Sequence, residues 1–244
     1  MRLTYIYQGY PYGLAHAVYC AKKFVNDEPF VVYLGDNILI EGIRDFARRF
    51  EHGDADAMVL LAKVPNPERF GVAKFDEKGR LTGLVEKPNV PPSNYALVGV
   101  YFFRPPHIFR VIEQLRPSWR DELEITDAIQ LLIDKGFKVD YAVVRGWWKD
   151  TGTPEDLLEA NRVLLDHKYR SSELRGTVKV GAKVEGRVFV GESSVIKEGS
   201  VVRGPAYIGR NSVVGPRVYV GPYTSIGDSC KLSEVEVENS IILD

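Results

Sequence analysis

The sequence predicts an α/β chain in two parts: a mostly parallel sheet covered by helices up to about residue 172, then a parallel β-helix over residues 173–244. Three observations predict it. Strand-like and helix-like stretches alternate through the first part, the pattern of a sheet whose strands are joined by helical crossovers. Beyond Leu174, aliphatic residues recur every six positions. Finally, 45% of the 244 residues are apolar, ample for a packed core.

Taken in order, LTYIYQ reads as a strand leading into helical LAHAVYCAKKFV. FVVYLGD is a continuous apolar run, typical of a strand buried on both faces, and leads into helical IRDFARRFEHG. AMVLLAKV, GVAKFD, LTGLVEK and YALVGVYFF read as strands, and HIFRVIEQL and ITDAIQLLIDKG as helices. Strand VDYAVV and helix PEDLLEANRVLLDHK close the first part, with Thr153 as N-cap, Pro154 in the first turn and Asp156 as reciprocal partner.

In the second part Val178, Val184, Val190, Ile196, Val202, Ile208, Val214, Val220, Ile226 and Leu232 mark the six-residue period. Four residues after each stands a small or β-branched residue, from Ala182 to Cys230, until Glu236 breaks the series. Each six-residue unit then forms one face of a prism, and the aliphatic side chains stack along its axis. A β-sandwich would alternate with period two instead.

Basic and acidic residues number 32 and 33, with no run of like charge, which argues against a nucleic-acid or membrane-surface partner. No apolar run approaches the roughly 18 residues of a membrane span, and the expected location is cytoplasmic. Cys20 and Cys230 have no framework or metal spacing and read as buried thiols. His16, His52, His107 and His167 are scattered and carry no assigned role.

The chemistry is carried by short stretches at strand ends. FVVYL ends in Gly35-Asp36-Asn37, a carboxylate where open α/β sheets bind ligands, although the same tripeptide also makes an ordinary turn. WWKDTGTPED presents Asp150 just before a capped helix. Two such aspartates suit Mg²⁺, which takes one or two protein carboxylates and fills its other sites with water and phosphate oxygens. Glu86-Lys87-Pro88 ends another strand and joins a sugar-chelating acceptor to a point charge, the proline keeping Lys87 extended. Arg120, before DELEITD, reads either as a surface ion-pair partner or as a phosphate clamp.

In their order, QGYPYGLAHA, YLGDN, RFGVAKFD, VEKP, YALVGVYFF, ELEITDA and WWKDTGTPEDLLEANR resemble the successive motifs of sugar-1-phosphate nucleotidylyltransferases. With the hexapeptide tail, the chain is similar to the long form of glucose-1-phosphate thymidylyltransferase. The resemblance implies a Rossmann-like sheet, here incomplete, and a left-handed β-helix. It implies that Gln8, Pro11, Gly13, Leu14 and Asp36 hold the nucleotide, dTTP. It implies that Gly71, Glu86, Lys87, Val98, Gly99 and Trp148 hold the sugar of glucose-1-phosphate. Asp36 and Asp150 would bind Mg²⁺, and Asp36, Lys87, Arg120 and Asp150 would be the catalytic set. Phe70 departs from the tyrosine common in short relatives.

Members of that family begin with a strand, a glycine-rich loop carrying an arginine, and a downstream lysine. Against that pattern the chain enters at the third strand, and the expectation is a fragment of a longer homo-oligomeric enzyme, without turnover on its own. A non-catalytic assembly subunit is the alternative. A hexapeptide acyltransferase is disfavoured because no histidine follows His167.

Overall fold

The computed structural model describes residues 2–243. The chain divides into two compact units, residues 1–150 and 151–244. The division falls earlier than the expected boundary near residue 172.

In the first unit, LTYIYQ forms no strand, and Tyr5 and Tyr7 are almost fully exposed. A strand needs a hydrogen-bonded neighbour, and no described strand pairs with this stretch. Helices α1 (Leu14–Cys20) and α2 (Lys22–Val25) follow, then β1 (Phe30–Tyr33), β2 (Asn37–Leu39) and α3 (Arg44–His52). Next come β3 (Ala57–Lys63), β4 (Gly71–Phe75), β5 (Leu81–Glu86) and β6 (Tyr95–Phe103). The unit closes with α4 (His107–Ile112), α5 (Ile125–Asp134), β7 (Val139–Val143) and β8 (Trp148–Asp150).

The main sheet runs β5-β4-β6-β3-β7, with β1 also paired to β6. Strands β1, β3, β4 and β7 point one way, but β6 runs against them and lies among them. Only β3 and β7 therefore form a parallel ladder, which corrects the expectation of mostly parallel pairing. The reason lies in the connections: no helix separates β4, β5 and β6, and a parallel pair requires a crossover. β1 is likewise not buried on both faces, because Val31 and Tyr33 are exposed while Phe30 and Val32 pack inward.

β3 and β6 divide the interior. Val59, Leu61, Tyr101 and Phe103 face a core shared with α1, α4 and α5. Met58, Leu60, Val98, Val100 and Phe102 face a second core with Phe50 of α3 and Leu39 of β2. Alternation along both strands thus buries every residue of β6 except the half-buried Tyr95.

In the second unit, α6 (Pro154–Lys168) is capped as expected, the Asp156 N–H donating to Thr153 Oγ1 at 3.2 Å. It belongs with the coils that follow it: Asn161 donates to the Tyr223 carbonyl at 2.9 Å and Arg162 to Asn239 at 2.7 Å. These contacts move the boundary to the N-terminal side of α6.

The period of six becomes three parallel sheets, each rung stacking on the residue one coil away. Val178, Ile196, Val214 and Leu232 form one stack, Val184, Val202, Val220 and Val237 a second. Leu174, Val190, Ile208, Ile226 and Ile242 form the third. Eight of the ten periodic aliphatics are buried, while Val178 and Val184 pack half-buried on the same core. The small residues four positions on also point inward, and their hydroxyls explain the serines. Ser212 Oγ donates to the Gly227 carbonyl at 2.8 Å and accepts from the Cys230 N–H at 3.0 Å. Corners at Ser193, Asn211 and Ser229 all adopt left-handed φ, 61°, 56° and 60°, so each coil turns at the same place.

Ser212→Ala leaves that carbonyl and N–H buried without their partner. It is expected to cost ~1–3 kcal/mol, read as a lower denaturation midpoint; an unchanged midpoint would show the hydroxyl to be structurally idle.

Candidate active site

Every residue singled out in the sequence for chemistry lies in the first unit. The site is best built outward from Asn37, which is buried at 6% exposure. Its Nδ2 donates to Asp36 Oδ1 at 2.8 Å, and its Oδ1 accepts from the Gly99 N–H at 3.1 Å and from Trp148 Nε1 at 2.7 Å. The backbone reinforces this, because Leu34 N–H donates to the Gly99 carbonyl at 2.8 Å and Asn37 N–H to the Leu34 carbonyl at 3.1 Å. Gly99 has to be glycine: a Cβ there would lie 2.5 Å from Asn37 Nδ2.

β2 and β8 pair antiparallel, with Asn37 opposite Asp150 and Leu39 opposite Trp148. Asp36 therefore stands one residue from the ladder partner of Asp150. Gly35 and Asp36 do form a turn, so the structural and chemical readings of Gly35-Asp36-Asn37 coexist.

A second group assembles around Glu86. Gly71 faces Glu86 across the β4–β5 ladder, and Thr126, buried on the first turn of α5, donates to Glu86 Oε2 at 2.6 Å. A Cβ on Gly71 would lie 2.8 Å from Leu97 Cδ1 and 3.0 Å from Thr126 Oγ1, so glycine keeps this corner open. The Phe70 ring meets Trp148 edge-on at 5.6 Å, which joins the Glu86 group to the Asn37 group.

Lys87 differs from expectation. It is not extended but has φ 41°, and its N–H donates to the Phe70 carbonyl at 3.0 Å. That bond extends the β4–β5 pairing by one step and turns the chain at the lysine, a conformation uncommon for a side chain of this kind. Val98 also differs: its side chain is fully buried in the second core, so only its backbone is available to the site.

Arg120 is held by two carboxylates, Glu122 Oε2 at 3.2 Å and Glu124 Oε1 at 3.5 Å. Ser118 orders the loop by donating to Glu124 at 3.0 Å and accepting from the Arg120 N–H at 3.1 Å. Burial and the nearby Glu86 charge raise the Asp127 carboxyl above its usual range; burial likewise raises Glu124. The Arg120 loop also clamps the N-terminal turn. Leu123 N–H donates to the Tyr12 carbonyl at 2.7 Å and the Ala15 N–H to the Leu123 carbonyl at 3.0 Å. Gly13 sits between them at φ 100°, where a Cβ would lie 2.7 Å from the Leu123 carbonyl oxygen. Gln8 Nε2 donates to the Gly13 carbonyl at 3.2 Å, Leu14 packs on the first core, and Pro11 is exposed.

Tyr101 lies buried beneath the site. Burial first, then the charges of Glu86, Asp36 and Asp150, push its hydroxyl far above the usual phenol range, so it stays neutral. The same three carboxylates therefore lie close to one buried hydroxyl. No group of three or more metal-ligating side chains occurs among the described residues. Asp36, in the turn before β2, and Asp150, at the end of β8, are hard carboxylates of the type that would hold Mg²⁺, whose other positions go to water and phosphate oxygens.

Sequence reasoning missed Asn37, Thr126 and Tyr101 as parts of the site. Asn37 and Thr126 both lay inside motifs already singled out, YLGDN and ELEITDA, but their roles depend on partners far along the chain.

Comparison with known proteins identifies the chain's relatives. The family model described as nucleotidyl transferase matches residues 1–167. The low-salt glycan biosynthesis nucleotidyltransferase Agl11 of Haloferax volcanii is 56% identical over 243 residues, covering 100% of this chain and 67% of that protein. A glucose-1-phosphate thymidylyltransferase of Streptomyces antibioticus is 46% identical, covering 99% of this chain and 67% of that protein. Among solved structures, a Bacillus anthracis protein assigned as a glucose-1-phosphate thymidylyltransferase, crystallised with sucrose, superposes with TM-score 0.58 at 38% identity. That match covers 64% of this chain and 62% of the solved one. The chain thus spans about two thirds of the length of these proteins.

Asn37→Ala removes the acceptor shared by Gly99 and Trp148 and the donor to Asp36. The buried Gly99 N–H and the half-buried Trp148 indole N–H lose their partner, and the variant is expected to lose ~2–4 kcal/mol in chemical denaturation. A loss below about 0.5 kcal/mol would show that the three contacts are incidental.

Proposed function

The chain belongs to the sugar-1-phosphate nucleotidylyltransferase family, and on that premise we propose that it contributes the sugar and metal half of a site that makes dTDP-glucose from dTTP and glucose-1-phosphate. The observation that carries the reading is the meeting of two groups at one place: Gly71, Glu86 and Thr126 on one side, and Asp36, Asn37, Gly99, Trp148 and Asp150 on the other. The first offers an oriented carboxylate beside an open corner, suited to chelating sugar hydroxyls. The second offers carboxylates at the strand ends beside an aromatic wall.

In this reading Glu86, fixed by Thr126, accepts hydrogen bonds from the hexose, while the Gly99 backbone and Trp148 close the site around the ring. Phe70 adds an apolar edge in place of a hydroxyl. Lys87 and Arg120 meet the sugar phosphate, Arg120 exchanging its contacts with Glu122 and Glu124 for the phosphate oxygens. Gln8 and the Gly13-Leu14 backbone hold the thymine base. The sugar-phosphate oxygen attacks the α-phosphorus of dTTP in line and pyrophosphate leaves. These residues supply positioning of two anions and electrostatic stabilisation of the phosphoryl oxygens. Asp36 and Asp150 would hold Mg²⁺, which when bound neutralises phosphate charge.

The thymidine preference rests on the names of the relatives. Self-association through the β-helix and a cytoplasmic setting complete the proposal. No described helix is long and apolar enough to cross a membrane.

The proposal is tested by isothermal titration of glucose-1-phosphate in Mg²⁺ against the whole chain and its Glu86→Gln variant. Loss of a charge-assisted acceptor is expected to weaken binding by about tenfold or more. Equal affinity would remove Glu86 from the sugar site. Competition between dTTP and UTP for the same protein then decides the base, dTTP being expected to bind more tightly.

A further inference from the structure

Of the two cysteines, Cys230 is buried as expected, but Cys20 is half exposed at the end of α1. It is not isolated. Its Sγ lies 3.7 Å from Nε2 of His16, one helical turn earlier, and His16 Nδ1 lies 3.2 Å from Gln8 Nε2.

The hydrogen-bond chain fixes the direction of every proton in it. A carbonyl oxygen only accepts, so the Gly13 carbonyl 3.2 Å from the Gln8 amide identifies Nε2 as the donating end. The second proton of the same nitrogen faces His16 Nδ1, which must therefore accept. A neutral imidazole with an accepting Nδ1 carries its proton on Nε2. That N–H points at the Cys20 sulfur. Tyr12, edge-on to the imidazole at 5.4 Å, holds the ring in place.

We propose that Cys20 is a reactive thiol, modified by small disulfides, and that its state is coupled to the N-terminal turn through His16 and Gln8. The His16 N–H stabilises negative charge on the sulfur as it attacks. In the step itself, the Cys20 thiol gives its proton to solvent and its sulfur attacks one sulfur of R–S–S–R. A bond forms between Cys20 and that sulfur, the R–S–S–R bond breaks, and the other RS⁻ leaves with the electron pair and takes up a proton. The added group displaces the His16 contact, and with it the ordering of Gln8 against Gly13. That last consequence touches nucleotide binding only if Gln8 and Gly13 hold the base, and so rests on the reading above.

The test is the rate at which the whole chain reacts with the chromogenic disulfide 5,5′-dithiobis(2-nitrobenzoate), with the labelled residue located by peptide mass. One fast thiol is expected. It should be located at Cys20, be lost in Cys20→Ser, persist in Cys230→Ser, and react about tenfold faster than the same thiol in the unfolded chain. His16→Phe keeps a ring beside Tyr12 but removes the N–H, and His16→Asn shortens the side chain; both are expected to slow the reaction toward the unfolded rate while the far-ultraviolet dichroism stays native. A Cys20 rate in the native protein no higher than in the unfolded chain, or one unchanged in both folded His16 variants, overturns the proposal. Adding dTTP separates the two readings. Slowed labelling supports the coupling, and a fast thiol indifferent to dTTP contradicts the coupling to the base site.

Discussion

The carboxamide of Asn37 holds together three segments that the chain delivers from far apart. Its oxygen takes the Gly99 N–H from the central strand and the indole N–H of Trp148, while its nitrogen reaches Asp36. A carboxamide offers donor and acceptor at once with fixed geometry, so neither an aspartate nor a leucine of similar size could satisfy the same partners. Because Asn37 and Gly99 are both buried, the Gly99 N–H would otherwise be left without a bond in a poorly solvated place. The β2–β8 pairing that brings Asp150 beside Asp36 is only three residues long, too short to stand by itself. Its position depends on this amide and on Gly99 leaving room for it.

Charge sets the second constraint. Glu86, Asp36 and Asp150 all act on the buried Tyr101 hydroxyl, while Glu122 and Glu124 occupy Arg120. Negative charge is thus gathered around Tyr101, and the Arg120 guanidinium is already engaged by carboxylates of its own loop. Lys87, whose N–H extends the β4–β5 pairing and whose left-handed backbone then turns the chain, stands next to Glu86 at that strand end.

What could be read in the sequence followed periodicity. The stack of Val190, Ile208 and Ile226 was legible because the rungs repeat, and even the Ser212 position was visible as small. The N-cap at Thr153 was legible because capping is local. Strand positions in the first unit were mostly right, yet β6 running against its neighbours was not anticipated, although the lack of helices between β4 and β6 allows no parallel crossover there. The turn at Lys87 and the role of Asn37 escaped for a common reason. Both are set by partners distant in sequence, Phe70 for the first and Gly99 and Trp148 for the second, and no window around either residue contains them.

The dependence of the site on Asn37 is tested most directly by hydrogen exchange followed by NMR in the wild-type protein, at the Gly99 amide and the Trp148 indole N–H. Both donate to the same oxygen, so a single opening of Asn37 should release them together. The expected result is strong and equal protection of the two protons, with the Leu34 amide, which donates to the Gly99 carbonyl, protected to a similar degree. Unprotected exchange at the indole while Gly99 remains protected would show that Trp148 is not held by Asn37, and that the aromatic wall and Asp150 are positioned by something else.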